Sequence, residues 1–307
     1  DLHRRRHSFP TRRSSDLMSI MDELKNTFAH LTDSFSPANP DAEKEEFVKV
    51  PVLEEFNKAM GTLPPEEKFV EEDGTIKYYL PLLQTDNPDS WYQELNKNGI
   101  VAPERAGIAW NMCMTTSFTM ALWTVIYRYK IDKLYHLTEF TIEKWYYQGL
   151  MRYLKKTPEN DDRWQPRAHI NFLNQILAEN GRQDLRFRLA DKVDLSKGRQ
   201  IAADRKKAEI IRVIQTGNVY VFGGWNTKDG HIQCLINATE KGCKQLDPYG
   251  DWKNGYPVKN RSAGPYDRSW PDILFLTGII LGNYKFPIAD TRYFQPTWAA
   301  FCEEVKK

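Results

Sequence analysis

The chain has 307 residues, 41% hydrophobic and 13% aromatic, which suits one large domain or two small ones and excludes a wholly disordered protein. Its formal charge of +2 gives no basis for a nucleic-acid or anionic-membrane partner. The four cysteines, Cys113, Cys234, Cys243 and Cys302, form no Cys-x-x-Cys pair, so no zinc or other metal is expected; Cys234 and Cys243 could face each other across a hairpin, but reduced thiols are the preferred reading. No cofactor is expected.

Residues 1–17 hold five arginines and two aspartates without apolar periodicity. They resemble a translated sequencing-adaptor read-through and are set aside from fold reasoning. Without them the formal charge is −1 rather than +2. Met18, Met21, Leu24, Phe28, Leu31 and Phe35 recur at helical spacing and predict an amphipathic helix. That segment has no uninterrupted apolar core, so no signal peptide is expected. Residues 41–68 are acidic and punctuated by proline, and read as a linker arm with a short helix around 51–60. Domain organisation is then 1–17 as artefact, 18–68 as helix and arm, and 69–307 as the folded domain.

Asp73-Gly74 predicts a hairpin between strands at 69–72 and 75–83. A short helix at 88–97 stops at Gly99. The most apolar helix runs from 113 to about 129. A second, capped by Thr138, extends to about 156. A third, opened by Pro166, ends at Gly181. A strand at 183–189 and a charged helix at 200–215 follow. Three β runs come next, at 218–222, 231–238 and 243–247. Residues 248–272 read as one long loop. The run 273–283 is ambiguous between helix and strand, and its apolar core at 273–281 is too short to span a bilayer, so no membrane insertion is expected. Residues 296–305 read as a short final helix. The whole is α+β.

Cys113 carries the chemistry. It sits where a polar loop becomes an apolar helix, followed by Thr115, Thr116 and Ser117. A helix N-terminus offers partial positive charge and free N–H groups, which favour a thiolate. A thiol nucleophile needs a base and a group to orient that base. His30, His136 and His169 read as structural or solvated. His231 opens a β-strand after Asp229-Gly230 and precedes Asp247-Pro248-Tyr249-Gly250. On antiparallel strands His231 and Asp247 share a face only if the joining turn has an odd residue count. A turn centred on Thr239 sets them opposite. A three-residue turn over 240–242 slides them about 13 Å apart. Trp252 and Tyr249 read equally as a cover for this hairpin and as loop packing. The aromatic run 293–298 reads as core rather than as a glycan- or peptide-binding strip.

Taken in order, Gln84-Thr85-Asp86-Asn87, Cys113-Met114-Thr115-Thr116-Ser117-Phe118-Thr119-Met120, Gly230-His231-Ile232 and Asp247-Pro248-Tyr249-Gly250-Asp251-Trp252 resemble the papain-superfamily cysteine peptidases related to the bacteriocin-processing, double-glycine family. The stand-alone bacterial and phage members are the most similar in pattern. The resemblance covers about residues 78–256. It implies a papain-like fold, with the Cys113 helix packed on an antiparallel sheet that carries His231 and Asp247. Cys113 is then the nucleophile, His231 the base and Asp247 its orienter. Gln84 becomes the oxyanion-hole donor, with Asn111 as the alternative amide. The expected function is peptide-bond hydrolysis, with a peptide or peptidoglycan substrate, in the cytoplasm or with a phage virion. Two other outcomes stay open: an inactive papain-like interaction module, and amidase or transglutaminase chemistry on the same residues.

Overall fold

Val, Ile, Tyr and Phe recur in the β runs of the second half of the chain, and those runs assemble into one sheet. The computed structural model describes residues 69–101, 107–156, 163–227, 230–281 and 295–305. The adaptor-like run and the expected helix and arm of residues 18–68 lie outside them. Among the described residues there are six α-helices: α1 (Ser90–Lys97), α2 (Cys113–Arg128), α3 (Ile142–Lys156), α4 (Pro166–Glu179), α5 (Arg199–Gln215) and α6 (Trp270–Leu276). Six strands, β1 (Leu185–Leu189), β2 (Tyr220–Gly224), β3 (His231–Thr239), β4 (Gly242–Leu246), β5 (Tyr266–Arg268) and β6 (Ala299–Glu304), form a single sheet in the order β1-β6-β2-β3-β4-β5. Every neighbouring pair is antiparallel. The class is α+β.

Strand β3 is buried along nearly its whole length, which requires cover on both faces. On one side Cys234 donates its thiol proton to the Ser117 carbonyl of α2 at 3.5 Å. On the other, Tyr220, level with Leu235, bonds Lys206 and Glu209 of α5. Helix α2 is therefore apolar and buried almost all round, as a helix enclosed by sheet and neighbouring helices must be.

Several expectations need correction. The hairpin at 69–83 reduces to single bridges, Val70 to Ile76 and Thr75 to Asn237; what draws that segment in is β3, where Ile76 N–H donates to the Ile236 carbonyl at 2.8 Å. Residues 84–86, just past the expected strand, form a 3-10 turn. Helix α3 starts at Ile142, one turn after Thr138, because Thr138 and Thr141 first close a turn of their own. The 248–272 loop contains β5 and the start of α6, which Ser269 and Asp272 open with reciprocal capping bonds.

The largest miss is the final segment, which is a strand. Ala299 to Glu304 slot between β1 and β2, with Phe187 level with Cys302 and Phe222 level with Ala299. Alanine and glutamate favour helix locally, but a sheet slot that buries Ala299, Ala300, Phe301 and Cys302 outweighs that preference. Within the aromatic run, Trp298 is half-buried against the core and stacks on Phe118 at 6.1 Å, and Thr297, also half-buried, bonds the Gly223 carbonyl at 2.6 Å; residues 293 and 294 lie outside the described residues.

Candidate functional site

Cys113 is the first residue of α2. Asn111 just before it is held by Arg163, whose Nη1 donates to the Asn111 carbonyl at 3.3 Å and to its Oδ1 at 3.2 Å. The hydroxyls of Thr116, Ser117 and Thr119 after Cys113 face inward and each finds a partner. Thr116 donates to Glu143 on α3. Ser117 donates to the Ile232 carbonyl at 3.1 Å. Thr119 bonds back to Thr115 at 2.8 Å. The Ser117 bond matters most for geometry, because it ties the first turn of α2 to the residue next to His231.

His231 and Asp247 are both buried and meet at 2.6 Å, His231 Nε2 to Asp247 Oδ1. The turn joining β3 to β4 is Glu240-Lys241, with Thr239 opposite Gly242. Neither expected turn formed. An even turn places Asp247 on the wrong face, and a bulge at Ile236 corrects it: the pairing passes from Asn237 opposite Lys244 to Leu235 opposite Gln245. Continued one residue past Cys234 and Leu246, this sets Asp247 level with Gln233, on the same face as His231 and about 7 Å along the strand.

The Asp247 carboxylate also accepts from the Tyr249 N–H at 2.9 Å and from the Tyr256 hydroxyl at 3.4 Å. With Nε2 on Asp247, Nδ1 is the ring nitrogen left for Cys113. Burial alone would lower the imidazole pKa. The charge and hydrogen bond of Asp247, then the hydrogen bond and charge of Cys113, outweigh it and raise the value to about 10. The geometry favours an imidazolium facing a sulfur at a helix N-terminus.

The other cysteines differ. Cys113 is partly exposed, whereas Cys234, Cys243 and Cys302 are buried and free. Burial pushes the Cys302 thiol up to about 12 and the Cys234 and Cys243 thiols higher still. His169 is fully buried between the Tyr146 hydroxyl and the Arg163 carbonyl, each at 2.9 Å, and burial lowers it to about 4. His136 bonds the Lys133 carbonyl at 2.9 Å on the surface. His30 lies outside the described residues.

Gln84 is buried although it lies far from Cys113 in sequence. Its N–H donates to the Pro248 carbonyl at 2.9 Å and its Nε2 to the Ala109 carbonyl at 3.0 Å. It is thereby pinned between the segment entering Cys113 and the segment leaving Asp247, with Oε1 unpartnered among the described residues. The neighbouring Asn87 donates to Glu143 at 2.8 Å. Glu143 thus joins the Gln84–Asn87 turn to the Cys113 helix, and burial raises its carboxyl to about 7 against the hydrogen bonds from Thr116 and Asn87.

An open groove of about 750 Å³ adjoins these residues, lined by Leu83, Asp86, Trp110, Tyr249, Tyr256 and Arg261 among others. Tyr249 stands edge-on to His231 at 6.3 Å, with Trp110 at 5.9 Å and Arg261 over its ring at 4.4 Å. Tyr249 therefore covers the histidine. Trp252 is instead buried loop packing, its indole N–H on Gln245 at 3.1 Å. Tyr256, Asn226, Glu143 and Arg163 were not legible beforehand, since nothing local distinguishes them from ordinary loop and helix residues.

Among the described residues there is no cluster of three or more His, Cys, Asp or Glu side chains able to hold a metal, and no helix is long and apolar enough to cross a membrane. No family model, curated protein or solved structure matches the chain.

Proposed function

We propose that the protein is a cysteine peptidase of papain-like design. The observation that carries this reading is the convergence of Cys113, at a helix start, on a buried His231 whose far nitrogen is bound to Asp247 at 2.6 Å. Cys113 passes its proton to His231 Nδ1, and the thiolate attacks a peptide carbonyl. The Cys113 N–H and the second Nε2 hydrogen of Gln84 stabilise the oxyanion. His231 then protonates the leaving amine, and water releases the acyl-enzyme. Asp247 holds the ring and balances the imidazolium charge.

The groove supports a peptide substrate. Trp110 and Tyr249 give the groove an apolar wall, while Asp86 and Arg261 offer charges of both signs. Those features suit an extended chain with mixed side chains, including the stem peptides of a bacterial cell wall.

The test is incubation with a diverse peptide mixture and with peptidoglycan fragments, detecting new amino termini by mass spectrometry. Cleavage that vanishes in Cys113→Ala and His231→Ala supports the reading. An absence of any hydrolysis, together with Cys113 labelling no faster than the buried cysteines, would sink it in favour of an inactive interaction module. Amide exchange to added amines without hydrolysis would move the assignment to acyl transfer.

A further inference from the structure

Behind Asp247 lies a row of buried polar side chains that peptide hydrolysis does not require. Arg268 on β5 donates Nε–H to Gln245 Oε1 at 2.5 Å. Gln245 on β4 donates Nε2–H to Gln233 Oε1. Gln233 on β3 donates to Asn226 Oδ1 at 3.0 Å. Asn226, after β2, donates to the Tyr256 hydroxyl oxygen at 2.5 Å. Tyr256 donates to Asp247 Oδ2 at 3.4 Å. All five links point the same way, from a guanidinium to a carboxylate.

We infer that this chain is a positioning device for Asp247, with Tyr256 and Asn226 as its working end. The inference rests on the reading of Cys113, His231 and Asp247 as a triad. Asn226, Gln233, Gln245 and Arg268 are buried, where an unpaired amide is costly, so each must satisfy both its oxygen and its nitrogen. Because Arg268 can only donate, it fixes the orientation of Gln245, which fixes Gln233, and so on to Asn226. Trp252, also donor-only, reinforces the first link at Gln245 Oε1. Asn226 returns a long bond to Gln233 Oε1 at 3.5 Å, closing the amide pair.

The phenol cannot act as an acid here. Burial, then the charges of Asp247 and Cys113, push its pKa far up, so it remains a neutral donor. With its oxygen already accepting from Asn226, its proton is directed to Asp247. The backbone is arranged for this contact: Tyr256 has φ 55 in the left-handed region, which a tyrosine adopts at a cost. Gly224 is a second sign. A Cβ there would lie 2.2 Å from Gln233 Nε2 and 3.0 Å from Asn226 Oδ1, so only glycine leaves the middle link intact.

The decisive readout is hydrogen exchange of the His231 Nε2 proton, followed by NMR in the full chain, since that proton reports how firmly Asp247 is held. Tyr256→Phe removes the last donor. Asn226→Asp keeps the shape but accepts the phenol proton and turns it from Asp247. Each should speed exchange at least tenfold. Their combination should add no more than twofold, because both break the same bond. Peptide hydrolysis should lose kcat with KM unchanged. Exchange within twofold of wild type in Tyr256→Phe, or effects that multiply in the double variant, would overturn the inference. Tyr256→Phe deletes one oxygen and carries the test alone if Asn226→Asp fails to fold. Failure of the triad itself is seen separately, as a His231→Ala protein whose Cys113 alkylates at the wild-type rate.

Discussion

Asp247 stands level with Gln233, yet its carboxylate meets His231 at 2.6 Å, and the bulge at Ile236 is the reason. The two-residue turn at Glu240-Lys241 would leave the histidine and aspartate on opposite faces of the sheet. One extra residue in β3 reverses the parity of everything before it. The bulge leaves the Ile236 carbonyl free of β4, and Ile76 N–H takes it at 2.8 Å. Asn237 beside it donates to the Asp73 carbonyl at 2.8 Å. The segment that failed to form a long hairpin has this work instead.

Asp247→Asn tests the electrostatics of that pair. Burial lowers the His231 pKa and Asp247 chiefly opposes it. With the carboxylate gone, the imidazole should titrate several units below its value of about 10, as followed by NMR. A titration that stays near 10 would show that Asp247 is not what holds the proton.

Thiol labelling tests the nucleophile. Iodoacetamide near pH 7 should modify Cys113 first, because the other three thiols are buried and held protonated. His231→Ala should slow Cys113 at least tenfold and leave the others as they were. Peptide mapping by mass spectrometry checks both points, and equal labelling of all four cysteines would contradict them.

Gln84→Ala should lower kcat/KM for a peptide by a factor of roughly 100 to 1,000, the usual effect of losing one oxyanion donor. Alkylation of Cys113, which forms no oxyanion, should hardly change. On the Gln84 assignment, Asn111→Ala should cost far less. Steady-state kinetics on the two variants distinguishes them, and a larger loss in Asn111→Ala would reassign the donor.

Glu143 should give the fold a pH dependence. Its carboxyl is raised from 4.5 to about 7 in the folded state, so its contribution is fully present below about pH 4.5 and is lost as pH rises through 7. The shift corresponds to about 3 kcal/mol over that window. Glu143→Gln mimics the neutral form and should flatten the curve between about pH 4.5 and 7 in urea unfolding. Parallel curves for the two proteins would rule the effect out.

The sequence by itself determined helices α1 to α5 and the names of the candidate site residues. Apolar periodicity from Cys113 onward set α2, and Pro166, Gly181 and Gly217 marked the ends of α4 and α5, because these are local signals carried by backbone preference. The order of Gln84, Cys113, His231 and Asp247 was legible as a pattern. The tertiary structure alone decided whether those residues meet. Strand parity depends on a bulge that no residue type announces, and the final strand overrides its own helical preference to fill a slot between β1 and β2. Glu143, Asn226 and Tyr256 drew their roles from partners distant in sequence, as buried polar groups do when burial obliges them to find one another.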